Sequence, residues 1–432
     1  MRQHLIRLTV ACTLILVLIP FLAYGDDKDR STSKGKISGD IFGKKGGYFH
    51  PFISIAERYE DNIFNTPDNE KDDFITVISP GIWLALPGTK KPQLDISTST
   101  FTPGGLVQSR FRPETFRHYQ TYLLYGAGLE RYADFSDQNI TTHKLEGLFE
   151  YNSRGGLSID LFDQFYRARL PQATLISNEL DKYKTNLFDV TLSFNVTEKL
   201  ALRADYTNYI VDYDAARNNA FDRTDNSLSG YIFFKFMPKT SAFVEYEFID
   251  INYDRDILSD STEHRFFGGI RWDVTGKSTG TVKAGYGKRE FDDLTIANDR
   301  DFVFEVQADH RFTPKTSLSL FSSRRNTEST TTTTDYAVAH NVGVSYVQKL
   351  TYRITGRLNF SYTNNKHIGA WTFGGETKER KDNEYRAAPS LEYRFRNWLR
   401  FGVEYIYTKR DSNFPGLDYT NHAGMLTVTL AL

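Results

Sequence analysis

From about residue 49 to the carboxy terminus, apolar and polar residues alternate with a period of two, segment after segment. In 241–249, Ala242, Val244, Tyr246 and Phe248 share one parity, and Ser241, Glu245 and Glu247 take the other. In 200–207, Leu200, Leu202, Ala204 and Tyr206 oppose Arg203, Asp205 and Thr207. The pattern returns at 351–362 (Ile354, Leu358, Phe360 and Tyr362 against Arg353, Thr355, Arg357 and Asn359) and at 399–408 (Phe401, Val403, Tyr405 and Tyr407 against Arg400, Glu404 and Thr408). Successive strand residues point to opposite faces, so each segment has one apolar and one polar face. No helical period of comparable strength competes. The chain is all-β.

The connections alternate as well. Short ones fall at 87–91, 153–156, 196–199, 238–240, 275–279, 313–316, 349–352 and near 396–398. Longer, Asp/Asn-rich ones lie between them, at 61–71, 168–182, 214–225, 254–262, 292–301, 328–335, 366–383 and 411–419. A closed transmembrane antiparallel β-barrel sorts its connections in this way, with short periplasmic turns and long external loops. A soluble sandwich has no reason to. Both 92–101 and 118–134 look extended, but counting both as spanning would reverse every later turn. The stretch 102–117 therefore reads as an excursion beside one strand pair, which gives about 18 strands, an even number as bacterial barrels require. The sequence predicts that 49–60 pairs with 420–432 to close the barrel.

Hydrocarbon cannot satisfy backbone N–H and C=O groups, so closure puts one strand face toward lipid and the other toward the lumen. A charge on the lipid face near the midplane costs about 2–4 kcal/mol, so the charged parity faces inward. It holds Arg203, Asp205, Lys235, Glu245, Glu247, Arg265, Arg271, Asp273, Lys283, Arg289, Glu305 and Asp309, then Arg353, Arg357, Arg386, Glu392, Arg394, Arg400 and Glu404. These are the candidate pore-lining residues, with Arg prominent from 353 onward. A plainer reading makes them an ion-pair network that only supports the wall. Leu202, Val244, Phe360 and Val403 are expected to face lipid. Tyr209, Tyr213, Tyr253, Phe291, Phe312, Tyr352 and Tyr407 sit at strand ends, where interfacial girdles are expected. Pro389 removes a ladder donor inside 384–396 and predicts a bulge or kink.

Composition closes off other classes. Lys+Arg is 53 and Asp+Glu 54, a balance that offers no argument for nucleic acid. Hydrophobic residues are 40% and aromatics 15%, too aromatic for disorder and, with a mean hydropathy of -0.47, too polar for a helical membrane protein. The one Cys, Cys12, rules out a disulfide framework. It lies in an amino-terminal stretch with Arg2 and Arg7, an apolar run 8–21 and Ala23-Tyr24-Gly25, which reads as a cleaved secretory signal peptide over 1–25. The domain reading is a signal peptide (1–25), a flexible periplasmic linker (26–48) and an outer-membrane barrel (49–432). The linker is too short for a plug or a periplasmic helical-repeat domain.

No catalytic, cofactor-binding or metal-binding site is expected, and no cofactor. The histidines at 50, 118, 143, 264, 310, 340, 367 and 422 form no H-x-x-x-H or H-E-x-x-H pair and read as residues of loop bases and interfaces. Gly285-Tyr286-Gly287 lacks the third glycine and the helix of a dinucleotide site. Asp292-Asp293 and Asp254-Arg255-Asp256 could hold Ca²⁺ in loops, but solvated loop charge is the simpler reading.

Several motifs carry a family resemblance. They are Glu60-Asp61-Asn62-Ile63-Phe64, then 73–81 (DFITVISPG), and Ser261-Thr262-Glu263-His264-Arg265 leading to Gly269-Ile270-Arg271-Trp272. Gly285-Tyr286 with Arg289-Glu290-Phe291, and 410–419 (RDSNFPGLDY), complete the set. In this order they resemble the family called putative beta-barrel porin type 2, outer-membrane barrels found with bacterial exopolysaccharide and capsule loci. The resemblance implies an outer-membrane barrel associated with polysaccharide secretion; the expected function is an aqueous pore in exopolysaccharide or capsule export, without enzymatic activity. Its partners would be outer-membrane lipid, the barrel-assembly machinery and periplasmic polysaccharide-export proteins on other chains. A barrel hydrolase or lipid-modifying enzyme, and a structural barrel or adhesin without transport, are the alternative readings.

Overall fold

The computed structural model describes residues 47–87, 118–170, 180–273, 277–328 and 334–432. The leader, nearly all of the linker, the extended stretch 92–101 and the excursion 102–117 lie outside them. Eighteen strands follow one another: β1 (Phe49–Glu60), β2 (Asp73–Leu86), β3 (Tyr119–Tyr132), β4 (Ile140–Asn152), β5 (Leu157–Leu170) and β6 (Asp181–Asn195). Then come β7 (Leu200–Tyr213), β8 (Arg223–Met237), β9 (Thr240–Tyr253), β10 (Ser261–Asp273), β11 (Ser278–Phe291) and β12 (Asp299–Thr313). The last six are β13 (Thr316–Glu328), β14 (Tyr336–Lys349), β15 (Ile354–Phe373), β16 (Glu376–Arg396), β17 (Leu399–Ser412) and β18 (Tyr419–Ala431). Each pairs antiparallel with its neighbours in sequence. β1 pairs with β18, from Phe52 opposite Ala431 to Glu60 opposite Ala423, so the sheet closes as the sequence predicts.

Directly paired residues share a face, so the registers carry the assignment around the barrel. Leu202 pairs with Ile232 and Arg203 with Tyr231; Val244 pairs with Gly268 and Glu245 with Phe267. Leu202, Val244, Phe360 and Val403 lie on the outer face, between 41% and 57% exposed. Arg203, Glu245, Arg357 and Glu404 lie on the inner one.

A recurrent device marks the upper edge of the apolar band. Tyr125 is hydrogen-bonded to His143 (3.0 Å), Tyr246 to His264 (2.8 Å) and Tyr405 to His422 (2.6 Å). Tyr206 donates to Asn226 and Tyr362 to Asn383 in the same diagonal position. Each pair spans an outer-face hairpin whose connection is on the loop side, and residues beyond it, such as Arg167, Lys184 and Lys288, are polar. Tyrosine suits this border, with an apolar ring below and a wet hydroxyl above.

The Asp/Asn-rich loops are tied at their bases. The N–H groups of Tyr132, Tyr213, Tyr253 and Ser412 donate to the side chains of Asn139, Asp222, Asp260 and Asp418, each just before the next strand. Short polar side chains take up backbone donors in this manner at turns. Asp293 accepts from the N–H and hydroxyl of Thr295, which hold its carboxyl below the usual range. Among the described residues no group of three His, Cys, Asp or Glu converges as a metal site.

Three expectations need correction. The predicted loop 366–383 is mostly strand: β15 and β16 run on to a two-residue turn at Gly374-Gly375, whose φ values of 60° and 86° suit a tight hairpin turn and favour glycine. Pro389 causes no bulge. Its outer-face position keeps the same register with β17 on both sides, Ala387 opposite Tyr407 and Ser390 opposite Glu404, and only the rungs between are missing. Tyr209, Tyr213, Tyr253 and Phe291 are not girdle residues; they occupy the inner face and are buried, whereas Phe312 and Tyr352 are exposed.

Candidate pore lining

The inner surface has two unlike walls. From β7 to β13 it is filled with long charged side chains closed into ion pairs. Arg203 holds Asp205 through Nε (2.7 Å) and Nη2 (2.5 Å), and Arg223 meets Asp225 at 3.1 Å. Arg265 donates to Glu263 (2.7 and 2.8 Å) and Glu247 (3.2 Å). Lys283 bridges Glu245 (2.9 Å) and Glu305 (3.8 Å), with Arg325 also on Glu305 at 3.5 Å. Arg223, Asp225, Glu245, Glu263, Arg265 and Arg289 are each 3% exposed or less. A buried charge is tolerable only when paired and hydrogen-bonded, and here each finds its counter-ion on the same or a nearby strand. Beside this network, Tyr122, Leu148, Phe162, Leu187, Tyr209, Ile249 and Ile251 form a buried apolar cluster on the inner face. Arg271, lower on this wall, lies 6.0 Å from the Phe233 ring centre.

From β13 through β18 to β2 many of the inner residues are short. Ser317, Ser319, Ser345, Ser361, Ser390, Thr408, Thr427 and Thr429 continue into Ser54 and Ser79 around the closure. Short side chains cannot fill the interior, so the charges among them stay wet. The Arg357 side chain is 42% exposed and 3.9 Å from Glu392. Arg386 and Arg400 are exposed, and Arg394, directly opposite Arg400, donates to the Tyr352 carbonyl at 2.6 Å. Glu404 is half-buried opposite Ser390.

The candidates therefore divide. Arg203, Asp205, Glu245, Glu247, Arg271, Lys283 and Glu305 belong to the filled wall. Arg357, Arg386, Glu392, Arg394, Arg400 and Glu404 belong to the open one. Asp309, accepting from Ser319 at 2.5 Å, sits at the boundary. Arg353 is not on a strand at all. It stands in the turn before β15, over the Tyr352 ring, because the strand begins only at Ile354. Sequence reasoning misses Arg223, Asp225, Glu263, Arg325 and Glu328; Arg223, Asp225 and Glu328 fall in stretches that read as loops but belong to β8 and β13.

Two tertiary ties shape the loop end. The β12–β13 ladder stops at Phe304 opposite Arg324, although β12 continues to Asp299 and β13 to Glu328. The end of β13 parts from β12 while staying paired with β14 up to Glu328 opposite Tyr336, and Glu328 reaches inward to Arg289 on β11 (2.8 Å) and the Tyr253 hydroxyl on β9 (2.5 Å). At the closure, Asn421 donates to the Asn62 carbonyl (2.7 Å) and Asn65 Oδ1 (2.9 Å), and Asn62 donates to the Thr66 and Thr420 carbonyls. Ile63 and Phe64 are thereby packed under Ile75, Tyr132 and Leu180. The opening motif stitches the first loop to the last strand.

A profile of the family described as Putative beta-barrel porin 2 matches residues 182–432, from β6 to the end of the chain. The chain belongs to this family. It is a porin-like outer-membrane barrel, with the short turns periplasmic and the long loops outside. The motifs at 60–64 and 73–81 precede the matched region. No curated protein matches the chain in sequence. Solved structures similar to it include Pseudomonas aeruginosa OpdO (11% identity, covering 89% of this chain and 97% of that one, TM-score 0.43). Acinetobacter baumannii OccAB4 (11%, 90% and 99%, 0.42) and P. aeruginosa OpdK with vanillate (9%, 89% and 100%, 0.43) are alike to a comparable degree. The likeness is loose in each case.

In this porin-like barrel the histidines take ordinary places. His143, His264 and His422 belong to the outer tyrosine pairs, and His50 stacks on Trp83 at 3.6 Å inside the periplasmic end. His367 lies 3.6 Å from Asp382.

Proposed function

We propose that this barrel is an aqueous pore through which a bacterial polysaccharide leaves the cell, working by transport rather than catalysis. The observation that carries the reading is the open wall: an inner surface rich in Ser, Thr and exposed Arg, facing a filled wall whose charges are paired. Hydroxyl groups exchange hydrogen bonds with water and with sugar hydroxyls at little cost, and exposed arginines in a wet lumen attract anionic groups without trapping them. The charge along the axis favours entry of an anionic chain from the periplasmic side. The seven short turns from β4–β5 to β16–β17 hold Arg154, Lys199, Lys239, Lys277, Lys315 and Arg353 against one acid, Glu198. The external loop 61–72 alone holds Asp61, Asp68, Glu70 and Asp72 against Lys71. An anion is thus drawn to the periplasmic mouth and meets repulsion when approaching from outside. The leader 1–25 would be removed on export, and polysaccharide-export proteins in the periplasm would be separate chains. Single-channel recording of the purified protein in a planar bilayer tests the reading. Steady open conductance supports it, and a silent barrel would leave only a structural or enzymatic role.

A further inference from the structure

The open wall contains a recess of about 290 Å³ that crosses from β12 to β16, at the lower end of the ~300–1,000 Å³ typical of small-molecule sites. We infer that this recess is a binding site for a hydroxylated sugar segment carrying a carboxylate, such as a uronic acid unit; the inference rests on the pore reading above and gives that pore a substrate class.

Three features point to this ligand. The first is an apolar platform: Phe321, half-buried, lies directly opposite Gly343 on β14, and a Cβ on that glycine would sit 3.8 Å from the Phe321 Cβ. The missing side chain leaves the floor open beside the ring, and the C–H face of a sugar can pack on an aromatic surface of this kind. The second is the polar surround. Ser345 donates to Asn359 Oδ1 at 2.7 Å, which leaves the Asn359 amide N–H groups for a ligand, and Ser361 is exposed beside it. The third is charge. Arg386 lines the β16 end, exposed, opposite Ser361 and Thr408, while its neighbours along the inner face are Ala388 and a Glu384 already held by Arg410 at 2.6 Å. At the β12 end, Gln307 lines the recess and the Asp309 carboxylate accepts from Ser319. A cation at one end and hydroxyl acceptors at the other orient a ring that has a carboxylate on one side and hydroxyls on the rest.

The test is equilibrium binding by calorimetry on the folded, detergent-solubilised barrel, with digalacturonic acid as the probe and neutral galactobiose as its match. The wild type should bind the acid at least ten-fold more tightly than the neutral sugar. Arg386→Gln should erase that preference, and Gly343→Val, which fills the floor with a good strand former, should weaken both sugars ten-fold or more. Arg311→Gln removes an exposed inner cation outside the recess and should change neither. No acid preference in the wild type, an unaffected Arg386→Gln, or an Arg311→Gln that loses as much as Arg386→Gln would overturn the site. Conductance is read separately: a sealed barrel that still binds the acid defeats the transport reading and keeps the site, whereas an open pore without binding defeats the site alone.

Discussion

The β7–β13 wall and the wall from β13 round to β2 share one sheet, one alternation and a similar mix of charges, yet they do opposite things. On the first, Arg265 and Glu263 are buried within 2.7 Å of each other; on the second, Arg394 faces Arg400 across a rung with no acid between them. Like charges placed opposite each other weaken a sheet unless water or an anion relieves them. Such a pair is therefore a mark of solvent. The difference lies in side-chain length at the neighbouring inner positions, which are bulky on one side and mostly Ser, Thr or Gly on the other. A barrel can build its support and its passage from the same strands by varying only the residues between the charges.

The largest expected effect lies at the buried Arg289–Glu328 pair. Removing one partner of a buried ion pair costs about 3–5 kcal/mol, so Arg289→Ala should strongly lower the unfolding temperature of the purified barrel, read by heat-modifiability on gels. Arg400→Ala, on the open wall, should fall within about 0.5 kcal/mol of the wild type. Equal losses at the two positions would erase the distinction between the walls. Next comes the closure: Asn421→Ala leaves the buried Asn62 carbonyl without its donor and should cost about 1–3 kcal/mol in the same assay.

The smallest shift expected is in ion preference. Replacing Arg357, Arg394 and Arg400 together by Ser should move the reversal potential in a salt gradient toward cations, with folding unchanged. Replacing Arg203 by Lys on the filled wall should leave the potential where it was, since that charge is held by Asp205 and does not meet the permeating ion.

Much of this architecture is legible in the sequence, and the gaps have physical causes. Alternation reveals strands wherever one face meets lipid, which is why the strand pairs, the parity of turns and loops and the 49–60 with 420–432 closure are readable. It fades where strands rise beyond the bilayer. Lys366, Lys378 and Glu379 need no apolar partner face there, so the upper β15–β16 hairpin looks like a loop. Parity also tells inside from outside but not wet from dry. Whether Arg203 or Arg386 meets water depends on the size of residues several strands away, brought alongside by the register. The aromatic ends Tyr209 and Tyr253 misled for the same reason: the ends of strands can carry girdles, but inner parity places these rings in the interior packing.

The central claim is that water and solute pass along the open wall and not along the filled one. Cysteine introduced singly at Ser345 and Ser390, and at Ser227 and Ser229 on the filled wall, in a Cys12→Ser background that removes the chain's one other thiol, can be probed during single-channel recording with a charged, water-soluble methanethiosulfonate. The account predicts stepwise loss of current on modification at 345 and 390, and no change at 227 and 229, which are 5% and 6% exposed. Block at 227 and 229 with silence at 345 and 390 would contradict it.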